Sequence, residues 1–250
     1  MRILFLGNNL LGLRVLGWLR EQNESVVGLV LNRVQKRRLA EELVTASGLP
    51  LENVFDGDRL QEAEQITRIQ ALQPDVGVSV YFGEILRLSF LKLLRLGCLN
   101  LHPSLLPYNR GAHPNVWSII EQTPAGVTLH YIDEGVDTGD IVAQREVIVE
   151  PVDTGATLYG KLQDEAFRLF VDSWPLFKAG KLPRNSQDPR RATVHRVKDL
   201  ARVDQIDLDR SYNARELIDL LRARTFPPYK GAWFETQGRK VYATINLRYD

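Results

Sequence analysis

The sequence predicts an α/β protein with a mostly parallel sheet, helices on both faces, and a small C-terminal α+β subdomain that carries a β-hairpin. Short apolar segments alternate with amphipathic ones from the start of the chain. The pattern changes after Gly126, and the stretch from Gly180 to Arg191 is polar and contains two prolines. We therefore expect a large first domain over residues 1–185 and a small subdomain over residues 186–250.

The first third of the chain alternates between two kinds of element. Expected strands and helices follow one another at Arg2–Leu6, Leu11–Glu21, Val26–Leu31, Lys36–Ser47, Leu60–Leu72 and Val76–Val80. This alternation predicts a Rossmann-like sheet. Ligands of such sheets lie beyond the carboxyl ends of the strands, where the strand order reverses. The loops after Leu6, Val80 and Leu99 are therefore the expected positions of a site.

The later elements follow a different pattern. Strands are expected at residues 127–132 and 141–149, joined by a turn-rich loop over residues 133–140, with a helix over residues 157–177. Beyond the domain boundary we expect one amphipathic helix at Ala214–Ala223. A hairpin should follow, with strands at Ala232–Glu235 and Lys240–Leu247 around a turn at Gln237-Gly238.

The composition narrows the classes of protein that the chain can represent. Its formal net charge is +1, without the basic excess expected of a protein that grips a nucleic-acid backbone. The single cysteine, Cys98, excludes an intrachain disulfide and lies in an apolar stretch, where a core position is expected. No apolar run approaches the roughly 20 residues needed to cross a bilayer. With no signal peptide evident, a cytoplasmic protein is expected.

Several common site motifs are missing from the sequence. The first loop, Gly7 to Gly12, lacks the three-glycine dinucleotide pattern and the Lys-Ser/Thr of a phosphate loop. It is either a tight turn or a set of backbone N–H groups that meet a phosphate. The four histidines (His102, His113, His130 and His195) show no helical pairing, so no metal site is expected. No G-x-S-x-G is present for a serine hydrolase.

Residues 99–140 hold the polar groups best suited to chemistry. Strand alternation places Asn100 and His102 on one face, and Asp137 lies in the loop between the two later strands. An amide and a protonated imidazole can both donate to a developing oxyanion, and a nearby carboxylate can relay protons. Spacing alone leaves a structural role open, in which these residues cap a loop, satisfy backbone groups and fix a turn.

Two sequence segments, NLHPSLLPYNRGAHPNVWSII and GVTLHYIDEGVDTGDIV, resemble the folate-dependent formyltransferase family over roughly residues 1–180. The resemblance implies catalytic roles for Asn100, His102 and Asp137, and 10-formyltetrahydrofolate as the donor and co-substrate. It places the pterin between the loop after the Val76–Val80 strand and the later turn-rich loop. The implied cofactor-binding residues are Phe82, Glu84, Ile85, Leu86, Ile132, Asp133 and Asp137.

Within that family, the loop around residues 106–119 and the tail from Arg215 resemble enzymes that formylate a dTDP-linked 4-amino-4,6-dideoxy sugar. This implies a nucleotide-sugar substrate, a homodimer, a role in lipopolysaccharide O-antigen biosynthesis, and neither a nucleic-acid nor a membrane partner. The implied substrate-binding residues are Asn9, Tyr108, Asn109, Arg110, Phe226 and Tyr229. Aromatic faces in the tail could stack on a thymine. Expected cations for a pyrophosphate are Arg222, Arg224 and Lys230.

Other functions stay open at this point. About 60 residues follow the predicted boundary, fewer than the transfer-RNA enzymes of this family carry, but a methionyl-tRNA formyltransferase-like enzyme is an alternative. A formyl-folate hydrolase and an inactive folate- or nucleotide-binding module are others. The tail is either part of the site or purely structural. The sequence does not determine the exact sugar, the position of its amine, the nucleotide or the oligomeric state.

Overall fold

A computed structural model describes all 250 residues of the chain. It contains eleven strands and eight α-helices. The strands are β1 (Arg2–Gly7), β2 (Ser25–Leu31), β3 (Val54–Asp56), β4 (Val76–Val80), β5 (Cys98–His102), β6 (Arg110–Gly111), β7 (Ala125–Tyr131), β8 (Ile141–Val147), β9 (Val194–His195), β10 (Ala232–Thr236) and β11 (Arg239–Ala243). The helices are α1 (Asn9–Glu21), α2 (Ala40–Ser47), α3 (Ala63–Ala71), α4 (Leu88–Leu91), α5 (Pro114–Ile120), α6 (Gly155–Lys178), α7 (Ala201–Asp204) and α8 (Ala214–Arg224).

Seven strands form one sheet in the order β3-β2-β1-β4-β5-β7-β8. The five neighbouring strands β3, β2, β1, β4 and β5 pair in parallel, and β7 pairs antiparallel to β5. The predicted mostly parallel sheet is therefore confirmed. The chain moves from β1 outward to β2 and β3, then returns to the other side of β1 with β4. The strand order therefore reverses between β1 and β4, at the type of position where ligands of such sheets bind.

The predicted elements are present, but several of their bounds differ from the sequence prediction. Helix α3 begins at Ala63 and not at Leu60, and β8 ends at Val147 and not at residue 149. The helix predicted from Lys36 begins at Ala40, because Leu39 adopts a left-handed φ of 54° that a continuous helix cannot contain. Strand β11 ends at Ala243, earlier than the predicted Leu247. Helix α5, which was not predicted, starts with Pro114, a residue suited to the first helical position.

The chain divides into two compact units. The first contains Met1–His102, Thr128–Gln144 and Ala166–Gln187, and the second contains Pro103–Val127, Arg145–Glu165 and Asp188–Asp250. The second unit thus includes two segments from the middle of the chain as well as the tail. The boundary predicted between residues 185 and 186 stays a prediction.

In the first unit, strands β1, β2 and β4 are buried along nearly their whole length. Cys98 lies in this core, and burial raises the pKa of its thiol. In the second unit, α8 packs through Leu217, Leu220 and Leu221 against a small apolar cluster that includes Ile206. The predicted amphipathic helix therefore docks on protein. No helix of the structure combines the length and the apolarity that crossing a membrane requires.

Candidate active site

Asn100 lies at the centre of a hydrogen-bonded chain that crosses three strands. On β5 it pairs in register with Ser79 of β4 on one side and with His130 of β7 on the other. Ser79 Oγ donates to Asn100 Oδ1 over 2.9 Å. Asn100 Nδ2 lies 3.1 Å from His130 Nε2. Neighbours on both sides thus fix the orientation of the amide.

The contacts of His130 determine which of its nitrogens carries the proton. His130 Nδ1 lies 2.8 Å from the carbonyl oxygen of Tyr131, and a carbonyl oxygen only accepts, so Nδ1 is the donor. In the neutral ring Nε2 is then an acceptor, which suits donation from Asn100. The Asn100 amide oxygen therefore accepts a hydrogen bond from Ser79, and one of its N–H groups donates to His130. Its second N–H has no partner in the fold and is available to a ligand.

A single carboxylate faces two imidazoles beside this chain. His102, two residues beyond Asn100 on β5, is 6% exposed. Its Nδ1 lies 3.6 Å from one carboxylate oxygen of Asp137, and the other oxygen lies 3.6 Å from His130 Nε2. These distances exceed a hydrogen bond, and Asp137 attracts either ring as an ion pair only when that ring is protonated. The structure thus brings Asn100, His102 and Asp137 together with His130; their catalytic roles stay predictions.

The loop that carries Asp137 is held in a strained but well-anchored conformation. Asp137 has a left-handed φ of 52°. Gln187 Nε2 donates to the carbonyl oxygens of Asp137, over 2.8 Å, and Gly139, over 2.7 Å. A Cβ on Gly139 would lie 1.9 Å from the carbonyl oxygen of Tyr131, so only glycine fits there. The position of the carboxylate therefore depends on a glycine and on a distant glutamine.

The loop predicted to hold the pterin is tied to the residues after β2. Gly83 N donates to Asn32 Oδ1 over 3.2 Å. Arg33 binds the Glu84 carboxylate through two nitrogens, with Nε 2.7 Å from Oε1, and these hydrogen bonds lower the pKa of Glu84. The Glu84 side chain is nearly buried and its charge is already compensated. It stabilises the loop, and its contact with a cofactor stays a prediction.

The other predicted cofactor residues differ in exposure. Leu86 is buried in the core, and Phe82 and Ile132 pack against the same cluster. Ile85 is 81% exposed. Asp133 accepts hydrogen bonds from a hydroxyl and a backbone N–H of its own loop. Exposed Ile85 is thus the apolar side chain of this set that is most available to a ligand.

A cavity of about 410 Å³ lies beside Ile132 and Asp133 in the first unit. Its other lining residues are Leu88, Leu91, Lys92, Glu134 and Gly135. Apolar walls with a few charged groups are typical of small-molecule sites. Two predicted cofactor residues therefore line a cavity, and the cavity adds Leu88, Leu91 and Lys92, which the sequence did not single out.

Asn109, predicted to bind substrate, uses its side chain within the protein. It is fully buried, and its Nδ2 donates to Ser118 Oγ over 2.9 Å and to Thr123 Oγ1 over 2.8 Å. Its Oδ1 accepts from Thr193 over 3.2 Å. Both N–H groups of the amide are therefore occupied, and the side chain stabilises the loop that it belongs to. Its contact with substrate stays a prediction.

The other predicted substrate residues outside the tail are also engaged in the fold. The Tyr108 hydroxyl accepts from Arg191, with Nη2 at 2.8 Å. Arg110 is 7% exposed on the short strand β6. Asn9 Oδ1 accepts from the backbone N–H of Leu11 over 3.0 Å, which fixes the start of α1. Substrate contacts by these three residues stay predictions.

The aromatic residues of the tail form a cluster in the second unit. The Phe226 ring lies 5.4 Å from Tyr159 and 5.5 Å from Tyr229, in edge-to-face contacts. Tyr229 is 64% exposed. Phe226 therefore supports Tyr229, and Tyr229 presents the exposed ring. Stacking of a base on either ring stays a prediction.

The cations predicted to meet a pyrophosphate have partners inside the fold. Arg222 Nε donates to Asp219 over 2.6 Å, and Arg224 pairs with Asp204. The ammonium of Lys230 lies 5.0 Å from the centre of the Tyr242 ring. Internal carboxylates thus balance the charges of both arginines. The pyrophosphate role of these residues stays a prediction.

His130, Ser79 and Gln187 were not predicted as site residues. His130 and Ser79 are isolated polar residues within apolar strands, which was the available signal for both. Gln187 lies in a polar stretch whose pairing with a loop 50 residues away leaves no local pattern. No group of three or more His, Cys, Asp or Glu side chains is placed to hold a metal ion.

Two family models match the chain. The model described as Formyl transferase matches residues 1–173, and the model described as N-formyltransferase dimerization C-terminal domain matches residues 199–249. The first match covers more than half of the chain. The chain therefore belongs to the formyl transferase family, and the predicted enzyme class, a folate-dependent formyltransferase, is confirmed.

The individual relatives carry different names. The methionyl-tRNA formyltransferase of Chloroflexus aggregans (strain MD-66 / DSM 9485) is 37% identical over 219 residues, which cover 82% of this chain and 69% of the relative. A 4-N formyltransferase from Francisella tularensis is 27% identical, with a TM-score of 0.80 over 100% of this chain and 98% of that one. A formyltransferase from Anoxybacillus kamchatkensis, solved with UDP-4,6-dideoxy-4-formamido-L-AltNAc and tetrahydrofolate, is 30% identical. Its TM-score is 0.59 over 81% of this chain and 89% of that one.

Proposed function

We propose that the enzyme transfers the formyl group of 10-formyltetrahydrofolate to the amine of a dTDP-linked 4-amino-4,6-dideoxy sugar. The observation that carries the proposal is the group of Asn100, Asp137 and the two buried histidines His102 and His130, with one Asn100 amide N–H left without a partner. Such a group suits attack of a neutral amine on a formyl carbon, because the carbon's oxygen becomes negative as the bond forms.

In the proposed reaction, the amine nitrogen attacks the formyl carbon and a tetrahedral oxyanion develops. The unused Asn100 N–H and the His102 imidazole donate to that oxyanion. Asp137, 3.6 Å from His102, accepts the proton that the amine loses, directly or through one water. The same proton then passes to the folate N10 as the bond between N10 and the formyl carbon breaks. No covalent intermediate with the protein is required.

The choice of a sugar acceptor rests on structural similarity and on charge. The fold matches that of the 4-N formyltransferase of Francisella tularensis with a TM-score of 0.80 at 27% identity. A net charge of +1 gives little attraction to a polynucleotide. The Anoxybacillus kamchatkensis enzyme was solved with a 4-formamido sugar, which favours an amine at C4. The dTDP part rests on the resemblance of the loop around residues 106–119 and of the tail.

The donor folate is proposed to lie beside the loop of residues 82–86 and the loop of residues 132–137. Tetrahydrofolate in the Anoxybacillus kamchatkensis structure supports this donor. The cavity lined by Ile132 offers apolar walls, which suit the aromatic parts of a folate, and its charged lining residues are Lys92, Asp133 and Glu134.

The assembly and the cellular role are part of the same proposal. The match of residues 199–249 to a dimerization domain supports a homodimer. We propose that the enzyme acts in the cytoplasm, where nucleotide sugars for lipopolysaccharide O-antigen are made. Light scattering of the purified protein should give twice the mass of the 28.5 kDa chain, and a monomer would contradict the dimer.

The acceptor is tested by supplying 10-formyltetrahydrofolate together with one amine at a time. The candidates are dTDP- and UDP-linked 4-amino-4,6-dideoxy sugars, the dTDP-linked 3-amino isomer, and methionyl-tRNA. We expect the dTDP-linked 4-amino sugar to gain a formyl group, detected by mass spectrometry, and Asn100→Ala to serve as the inactive control. Formylation of transfer RNA alone would favour a second candidate function, that of a methionyl-tRNA formyltransferase. The 37% identity to the Chloroflexus aggregans enzyme supports this candidate. Release of formate without an acceptor would indicate a hydrolase.

A further inference from the structure

The second compact unit contains a cavity of about 570 Å³ that the catalytic group does not share. We call it the α8 pocket. Its lining comes from α5 and the turn after it, from the segment that follows β8, and from α8. The lining residues are Ser118, Ile119, Gln122, Thr123, Val149, Pro151, Ala214, Arg215, Ile218, Asp219 and Arg222. A cavity of this volume is large enough for a small metabolite.

A buried arginine with unused hydrogen-bonding capacity lines the α8 pocket. Arg222 is 8% exposed, and its Nη1 donates to the carbonyl oxygens of Glu150, over 3.1 Å, and Asp153, over 3.0 Å. Its Nε donates to one oxygen of Asp219, whose other oxygen accepts from Gln122 over 2.9 Å. The carboxylate is therefore paired at both oxygens, whereas the Nη2 group of Arg222 has no partner.

The polar side of the pocket favours an anion. Its charged lining residues are Arg215, Arg222 and Asp219, which leave one net positive charge. The Arg215 guanidinium is exposed and forms no ion pair. Helix α8 starts at the pocket, since Ala214 and Arg215 are its first two residues, and the positive end of the helix dipole adds to the field. The Ser118 hydroxyl accepts from Asn109, so its own proton is available to a ligand.

The other side of the pocket is apolar, formed by Ile119, Val149, Pro151 and Ile218. We propose that the α8 pocket binds a small phosphorylated molecule with an apolar face, about the size of a nucleoside monophosphate. Its phosphate takes hydrogen bonds from Arg222, Arg215 and Ser118, and its apolar face packs against the isoleucines and the proline. Arg guanidinium groups and hydroxyls are the donors that phosphate groups commonly take.

The test uses calorimetric titration of the full chain with thymidine monophosphate and, as the uncharged comparison, thymidine. We expect the monophosphate to bind at least about tenfold more tightly than thymidine, since the phosphate provides the charge-assisted hydrogen bonds. Arg215→Glu reverses the charge at the rim, and Ile218→Trp fills the cavity. Each variant should weaken binding of thymidine monophosphate by about tenfold or more. Arg248→Glu, an exposed charge reversal in the same unit that does not line the pocket, should leave binding unchanged.

Positions 215 and 218 are exposed on α8, so both variants should fold, which circular dichroism and thermal melting would check. Equal binding of thymidine, no binding of the monophosphate, or binding unaffected by both variants would overturn the proposal. The phosphate could belong to the acceptor or to a separate molecule. A raised KM for the nucleotide sugar in Arg215→Glu would show that the bound phosphate belongs to the acceptor. An unchanged KM would show that it belongs to a separate ligand. Because binding is the readout, the test is independent of whether formyl transfer to a sugar is correct.

Discussion

Two asparagines predicted as site residues, Asn100 on β5 and Asn109 in the loop before β6, differ in how their amides are used. Each lies between two polar neighbours. Asn100 donates one amide N–H to His130, and its other N–H has no partner in the fold. Asn109 donates both amide N–H groups, one to Ser118 and one to Thr123. Asn100 is partly exposed, so its second N–H can donate to a ligand that enters the site, whereas the fully buried Asn109 amide has no N–H left to offer. Hydrogen-bond accounting thus separates a residue placed for chemistry from one placed for support.

The largest effect is expected at Asn100. Asn100→Ala removes an oxyanion donor and should lower kcat by about a hundredfold or more with KM nearly unchanged. It should also lower the free energy of unfolding by about 1–3 kcal/mol, because Ser79 and His130 lose their buried partner. Steady-state kinetics with formyl folate and the nucleotide sugar would measure this. Near-normal turnover in a stable variant would remove the distinction drawn between the two asparagines.

Asn109→Ala should show a different pattern. It leaves the Ser118 and Thr123 hydroxyls without their buried donor and should lower the free energy of unfolding by about 1–3 kcal/mol, with kcat changed little. Urea denaturation followed by kinetics at a temperature where the variant is folded would measure both quantities. A loss of activity at unchanged stability would mean that Asn109 contacts the substrate.

His130→Ala removes the acceptor that orients the Asn100 amide. We expect kcat to fall by about tenfold, the effect of one hydrogen bond of roughly 1.4 kcal/mol, while KM for the folate stays the same. His130→Gln, which offers an amide oxygen to Asn100, should restore part of the rate. If both variants lose the same amount of activity, His130 is acting on something other than the orientation of that amide.

The smallest effect is expected at Gln187, which holds the Asp137 loop from outside the site. Gln187→Ala deletes the two hydrogen bonds to the carbonyl oxygens of Asp137 and Gly139 and should lower kcat by a few-fold. The exposed Gln237, in the hairpin turn, provides a matched control, and Gln237→Ala should leave the rate unchanged. An effect as large as that of Asn100→Ala would place Gln187 in direct contact with the reacting groups.

The sequence predicts the parts of this molecule that depend on local patterns. The apolar runs of β1 and β4 are buried as expected, and strand alternation places Asn100 and His102 on the same face of β5. The predicted start of the second helix at Lys36 was wrong, because Leu39 takes a left-handed conformation that helix propensities do not indicate.

Contacts between distant segments could not be predicted in this way. The link from His130 to Asn100 depends on the register between β5 and β7, and register is a property of the folded sheet. The link from Arg222 to the carbonyl oxygens of Glu150 and Asp153 joins segments about 70 residues apart. Residue types alone therefore identified Arg222 as a cation without showing that Asp219 balances its charge.

The antiparallel register of β5 and β7 gives the enzyme an unusual sensitivity to misfolding. Opposite Asn100 stands His130, and opposite His102 stands Thr128. A slip by one residue would turn His130 to the far face of the sheet, because side chains alternate along a strand. A chain with this pairing could keep its helices, its compactness and its spectrum, yet have no assembled site. Recovered activity after refolding therefore counts molecules in the correct register, which bulk measures of secondary structure cannot do.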